Sequence, residues 1–175
     1  MTTIHDENGA QNVTLVECGS KVSLIRSREK DGYEAVQLEM PKTSKKTIKK
    51  EFRTEDIKLE TGAVLDVSIF EAGEKVKVSG ITKAKGFQGV VKRHGFAGSP
   101  KTHGHKHDLR APGAIGSGFP EHVIKGKRMA GRMGGERASS KNIKIIFIDK
   151  GKNILGLKGA VPGFQGSIVE IRSVK

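Results

Sequence analysis

Between residues 82 and 141 the sequence shows neither a 3.6-residue nor a two-residue apolar period over any useful length. These 60 residues therefore have no stripe or face to bury, and no core of their own is expected. The stretch holds 12 of the chain's 23 glycines and five of its six histidines, and its 13 Lys and Arg stand against 3 Asp and Glu, a net of +10. Residues 1–81 carry 13 basic and 14 acidic side chains, and residues 142–175 carry 6 and 2, so most of the formal +13 is concentrated in the middle. Structureless loops beyond about 15 residues are uncommon in compact domains. A cationic, Gly-rich insert four times that length repels itself, and it is expected to be ordered by a polyanion whose phosphates offset the charge.

The flanks read differently. Short runs rich in Val and Ile alternate apolar with polar side chains at residues 13–18, 22–26, 33–38, 64–70 and 76–81, and again at 143–148, 154–157 and 168–172. Gly19-Ser20, Asp31-Gly32 and residues 149–153 supply turn chemistry between successive runs, so the first two pairs are expected to be hairpins. Eight short strands without a long amphipathic helix point to an all-β fold, an antiparallel barrel or sandwich. A small barrel is favoured because closure removes exposed edges. A second polar stretch, Pro41 to Asp56, with Lys42, Lys45, Lys46, Lys49 and Lys50, reads as a solvated loop or a further RNA contact. The expected organisation is an N-terminal barrel part at 1–81, a basic extension at 82–141 and completing strands at 142–175.

With 175 residues and only 35% hydrophobic side chains, the chain suits one modest core plus an extension. No apolar run approaches the 18 or so residues that span a membrane, and the start lacks the regions of a signal peptide. A cytosolic protein is expected. The single Cys18 rules out an internal disulfide and lies in an apolar alternation, where a small buried thiol is the simpler reading.

Two clusters carry most of the extension's chemistry. Residues 83–96 interleave Lys83, Lys85, Lys92 and Arg93 with Phe87, Phe96 and His94 among three glycines, which let backbone approach phosphate closely. Residues 125–137 place Lys125, Lys127, Arg128, Arg132 and Arg137 within thirteen positions, and Lys141 and Lys158 follow. Between the clusters, His103, His105 and His107 with Asp108 resemble a metal set, and the three alternating histidines would share one face of a strand. Lys101, Lys106 and Arg110 surround it and oppose a dication, and no second ligand group appears, so contacts to phosphate or sugar are expected instead of a metal. A phosphate-binding loop and a Gly-x-Ser-x-Gly elbow are missing, and carboxylates are scarce here. No enzyme, cofactor or small-molecule substrate is expected. The alternatives are a free nucleic-acid-binding module and a His-cluster metalloenzyme.

Gly86-Phe87-Gln88-Gly89-Val90-Val91-Lys92-Arg93 followed by Lys101-Thr102-His103-Gly104 closely resembles the ribosomal protein L3 family. So do Arg110-Ala111-Pro112-Gly113-Ala114-Ile115-Gly116, Lys125-Gly126-Lys127-Arg128-Met129-Ala130-Gly131 with Gly135-Glu136-Arg137, and Lys158-Gly159-Ala160-Val161-Pro162-Gly163. The likeness is firm over residues 83–174 and weaker before. It implies a six-stranded, translation-factor-like barrel anchored on large-subunit (23S-type) rRNA. It also implies a central extension whose tip, near residues 110–127, approaches the peptidyl transferase centre, a role in early subunit assembly, and contacts with proteins such as L14 and L19. Bacterial relatives usually carry a short strand before the Met-Thr pair, which here opens the sequence, so the resemblance leaves the first barrel strand without a counterpart. Many also carry a methylated tip glutamine. Residues 116–120 contain no Gln, so no such modification is expected. The loop between Pro41 and Asp56 reads as shorter than is usual in the family.

Overall fold

The computed structural model describes residues 1–6, 9–43, 46–54 and 59–174. In chain order the elements are β1 (Thr2–Asp6), β2 (Gly9–Glu17), β3 (Ser20–Arg26), a single turn α1 (Arg28–Asp31), β4 (Ala35–Thr43), β5 (Lys46–Arg53) and β6 (Val64–Leu65). They continue as β7 (Lys75–Ile81), β8 (Phe87–Gln88), the short helix α2 (Val90–His94), β9 (Gly131–Arg132), β10 (Arg137–Asp149), β11 (Ile154–Lys158) and β12 (Val169–Ser173). Two compact units result: Met1–Val78 with Ser140–Val161 and Glu170–Lys175, and Ser79–Ser139 with Pro162–Val169.

The strands form a six-stranded sheet in the order β1-β2-β11-β10-β7-β12, a four-stranded sheet β5-β4-β3-β6 and the pair β8-β9. The expected all-β, antiparallel character is present, but among the described residues no sheet closes into a barrel. One sheet ends at β1 and β12 and the other at β5 and β6. The first suggested hairpin does not form: β2 and β3, separated only by Cys18 and Gly19, enter different sheets, since β2 is already flanked by β1 and β11, and Cys18 N–H extends the β11 side by donating to Asn153 O at 2.8 Å. The second suggested pair does form, with β3 and β4 antiparallel across α1. Thr2–Asp6, not among the runs expected as strands, is the edge strand β1, paired with β2.

The core of the first unit lies where the alternation is strongest. Val13, Val22, Val76, Val78, Ile145, Leu155 and Leu157 are fully enclosed, and Val76 and Val78 are two apart on β7, as a strand with one buried face requires. Gly156 interrupts β11 because the ring of Phe147, its partner on β10, lies where a β-carbon would stand. The β10–β11 turn is closed by Asp149, whose Oδ1 accepts from the amides of Gly151 (3.0 Å) and Lys152 (3.2 Å). Cys18 is half-buried, and burial together with neighbouring Glu17 pushes its thiol up, which suits an inert packing role.

Two expectations need correction. Of residues 64–70 only β6 is a strand. Its register with β3 runs Lys21↔Val64 and Ser20↔Leu65, after which the ladder has no further β3 residue, and Val67–Ile69 turn into a 3₁₀ segment with Val67 buried. The Pro41 to Asp56 stretch is not a loop but much of a hairpin: β4 pairs with β5 from Ala35↔Arg53 to Thr43↔Lys46, and residues 44, 45, 55 and 56 fall outside the described set. Its lysines fit a strand because β5 is a sheet edge, where charge is tolerated and discourages further pairing. Lys49 reaches Glu39 at 3.5 Å and Lys50 reaches Glu170 at 3.6 Å, while the guanidinium of Arg172 sits 4.9 Å from the ring of Phe52.

Replacing Leu157 with Ala removes a fully buried side chain from the centre of the six-stranded sheet and is expected to lower stability by about 2–5 kcal/mol. Urea unfolding of the full chain checks this, and a midpoint unchanged from wild type would show that the core lies elsewhere.

Candidate nucleic-acid interface

The basic segment is less featureless than its sequence suggests. Its two ends are tied by main-chain bonds: Thr82 N–H to Glu136 O (2.9 Å), Gly135 N–H to Thr82 O (3.3 Å), Lys85 N–H to Met133 O (2.9 Å) and Met133 N–H to Gly86 O (2.9 Å). The pair β8-β9 extends this stem with Phe87↔Arg132 and Gln88↔Gly131. Gly134 makes the approach possible. Its φ is +72°, and a β-carbon there would fall on the Lys83 carbonyl oxygen.

Above the stem, Gly95 ends α2 in the left-handed conformation (φ +73°) and donates to Val91 O at 3.0 Å. Val90 on α2 is buried and, among the described residues between 82 and 139, is the one hydrophobic side chain that is. The helix aims two of the expected RNA-binding residues at a single acceptor. Arg93 Nη1 donates to Met129 O at 2.7 Å, and His94 Nε2 lies 3.0 Å from the same carbonyl, which can only accept, so that nitrogen carries the proton. Arg93 and His94 are half-buried as a result, and they position residues 129–132 in addition to any contact with a ligand.

The histidine cluster is a turn, not a strand. His103 (φ +58°) and Gly104 (φ +86°) are both left-handed and reverse the chain, so the expected alternation on one face does not arise. His105 alone of the three engages a carboxylate, with Nδ1 3.2 Å from Asp108 Oδ2, and Ser99 Oγ donates to the same oxygen at 3.4 Å. Among the described residues no three His, Cys, Asp or Glu side chains converge as metal ligands. The hydrogen bond from His105, with smaller help from a backbone amide, the His105 charge and last Ser99, holds the Asp108 carboxyl below its ordinary range.

Residues 112–130 are exposed throughout and hold Lys125, Lys127 and Arg128 together with the apolar Ile115, Phe119, Val123, Ile124 and Met129. Lys83, Lys85, Lys92, Lys101, Lys106, Arg110, Lys125, Lys127, Arg128 and Arg132 are all exposed, and none meets a carboxylate among the described residues. His103 and His107 are exposed as well, and so is Arg137, which heads β10. Lys141 and Lys158 are exposed on the first unit. This is a surface of uncompensated cations on a hydrogen-bonded stem, with apolar side chains left in water.

Residues 34–155 match the family model of ribosomal protein L3. The large ribosomal subunit protein uL3 of Thioalkalivibrio sulfidiphilus (strain HL-EbGR7) is 40% identical over 196 aligned positions, covering 98% of this chain and 92% of the relative. That of Chlorobium phaeobacteroides (strain DSM 266 / SMG 266 / 2430) is 41% identical over 198 positions, covering 100% and 95%. That of Prochlorococcus marinus (strain MIT 9313) is 40% identical over 197 positions, covering 100% and 90%. The chain belongs to the ribosomal protein L3 family. All the expected contact residues except Lys158 fall inside the L3 family match. The sequence did not disclose that Val90, Pro112, Ile115 and Met129 of this L3 chain face a common hollow with Arg110, since they lie up to 39 positions apart without any period. The helix carrying Arg93 was legible only as Gly89 and Gly95 bracketing five residues.

Gly134→Ala is expected to open the stem and speed hydrogen exchange at the Lys85 and Met133 amides while leaving the Leu155 and Leu157 amides protected; unchanged exchange at the stem would contradict this. Because the folded Asp108 carboxyl is depressed, the stabilisation it gives the 99–111 turn is present above the ordinary carboxylate range and is lost as pH falls through the depressed value. In His105→Ala its titration, followed by NMR, is expected to move up toward that ordinary range.

Proposed function

We propose that this chain is a structural constituent of the large ribosomal subunit, in the cytoplasm, acting by position and not by catalysis. Segment 82–141 binds 23S-type rRNA, with 1–81 and 142–175 as its anchor, and takes part early in subunit assembly. The exposed run 112–130 extends toward the peptidyl transferase centre, and neighbours such as L14 and L19 cover part of the remaining surface. The observation that carries this reading is the set of exposed Lys and Arg without carboxylate partners. Such a surface repels itself in the free chain and is stabilised by phosphate, where each neutralised charge also releases condensed counterions. Glycines in the segment permit the backbone to follow an RNA surface closely, and the stem keeps the two arms of the extension in register while they do so. The relatives, large ribosomal subunit proteins uL3, agree with this assignment.

Lys125, Lys127 and Arg128 replaced together by Ala are expected to make the slope of log affinity against log salt shallower by about 2–3 on fragments of large-subunit rRNA, since each phosphate contact contributes roughly 0.7–0.9. An unchanged slope would remove these residues from the interface.

A further inference from the structure

We propose that the open apolar hollow between α2 and residues 110–115 seats one unpaired nucleobase of the bound RNA, with an adjoining phosphate on Arg110. This rests on the RNA-binding reading above and adds to it a mode of recognition. The hollow has a volume of about 340 Å³ and is walled by Val90, Pro112, Ile115, Met129 and Ala130, with Arg110 as its one charged side chain. Three separate stretches of chain build it. Met129 is held on α2 by the bonds from Arg93 and His94 to its carbonyl. The start of the second stretch is held by Ala111 N–H to Asp108 O at 3.0 Å and by Ser99 N–H to Leu109 O at 3.1 Å. The stem below holds the return strand at Met133. Bonds within the chain thus hold the α2–Met129 side of the hollow and the base of the side that carries Arg110.

The occupant follows from its chemistry. The walls are hydrocarbon and thioether, so they favour a flat, weakly hydrated face over a charged group. The surroundings are cationic, and Arg110 has no ion-pair partner among the described residues, so what enters should bring an anion with it. An apolar side chain from a neighbouring protein satisfies the first condition and not the second. A base in a duplex satisfies the second, but its faces are already stacked. An unpaired nucleotide meets both, with the base faces covered by Ile115 and Met129 and the phosphate met by the guanidinium.

The test compares binding of the full chain to a single-stranded RNA of roughly 12 nucleotides, within the usual site size of single-strand binders, and to the same strand with abasic central positions. The intact strand is expected to bind about fivefold more tightly, the low end of what an aromatic platform gives a base, because these walls are aliphatic. Ile115 is 43% exposed, so Ile115→Ser leaves the folded core untouched. It is expected to lose the preference for the intact strand and keep the wild-type salt slope, whereas Arg110→Ala is expected to lower the slope by about 1. Met129→Ala provides a second variant that removes another wall side chain while retaining the carbonyl that Arg93 and His94 hold. Equal affinity for intact and abasic strands, or a preference that survives in both wall variants, overturns the proposal while leaving RNA binding intact. Absence of salt-dependent binding to either strand overturns both.

Discussion

Main-chain hydrogen bonds between residues 82–86 and 133–136 hold together a segment whose charges push it apart. Residues 82–141, stem included, carry a net charge of +10 over 60 residues and bury a single hydrophobic side chain, Val90. Hydrophobic burial therefore stabilises it little, and Lys83, Lys85, Lys92, Lys101, Lys106, Arg110, Lys125, Lys127, Arg128 and Arg132 meet no carboxylate among the described residues. What remains is the stem, the clasp of Arg93 and His94 on Met129, and the Ser99–Asp108–His105 turn. These fix local geometry and leave the cations unneutralised. A polyanion can then dock on a surface whose groups are already spaced, and it bears less of the ordering cost than a fully disordered segment would impose.

The two units consequently owe their structure to different physics. The first has interlocking valines, isoleucines and leucines and an alternation that matches its strands. The second depends on glycines at positive φ and on carbonyls that accept from Arg and His. Substitutions in the first are felt as lost burial, and in the second as lost register. That contrast is also why a charged, Gly-rich segment is tolerated here: it is not required to support the core of the first unit.

Legibility in the sequence followed the same division. Strands around Val13, Val22, Val76, Ile145 and Leu155 announced themselves because alternation and burial coincide there. β5 did not, because an edge strand with Lys46, Lys49 and Lys50 facing water has the composition of a loop. The break after Leu65 was invisible because it depends on where β3 begins, a tertiary fact. Barrel closure was expected from the need to hide edges, yet β1 and β11 occupy both edges of β2, and β3 pairs in a second sheet. In the extension, residue type correctly marked the cations but could not separate those that face water, such as Lys92 and Lys125, from Arg93, which is held by a carbonyl 36 residues away. The L3 resemblance led to the expectation of an extension; the contacts inside residues 82–141 required coordinates.

The account stands on the claim that the cationic unit is matched to RNA of the large ribosomal subunit and is not a general polyanion-binding surface. Sedimentation of cell lysate through a sucrose gradient at high salt, with this chain quantified across the fractions, tests that most directly. One copy per large subunit, retained when salt has stripped loosely bound proteins, is the predicted result. Recovery of the chain at the top of the gradient, or at a variable ratio to the subunit, would contradict it.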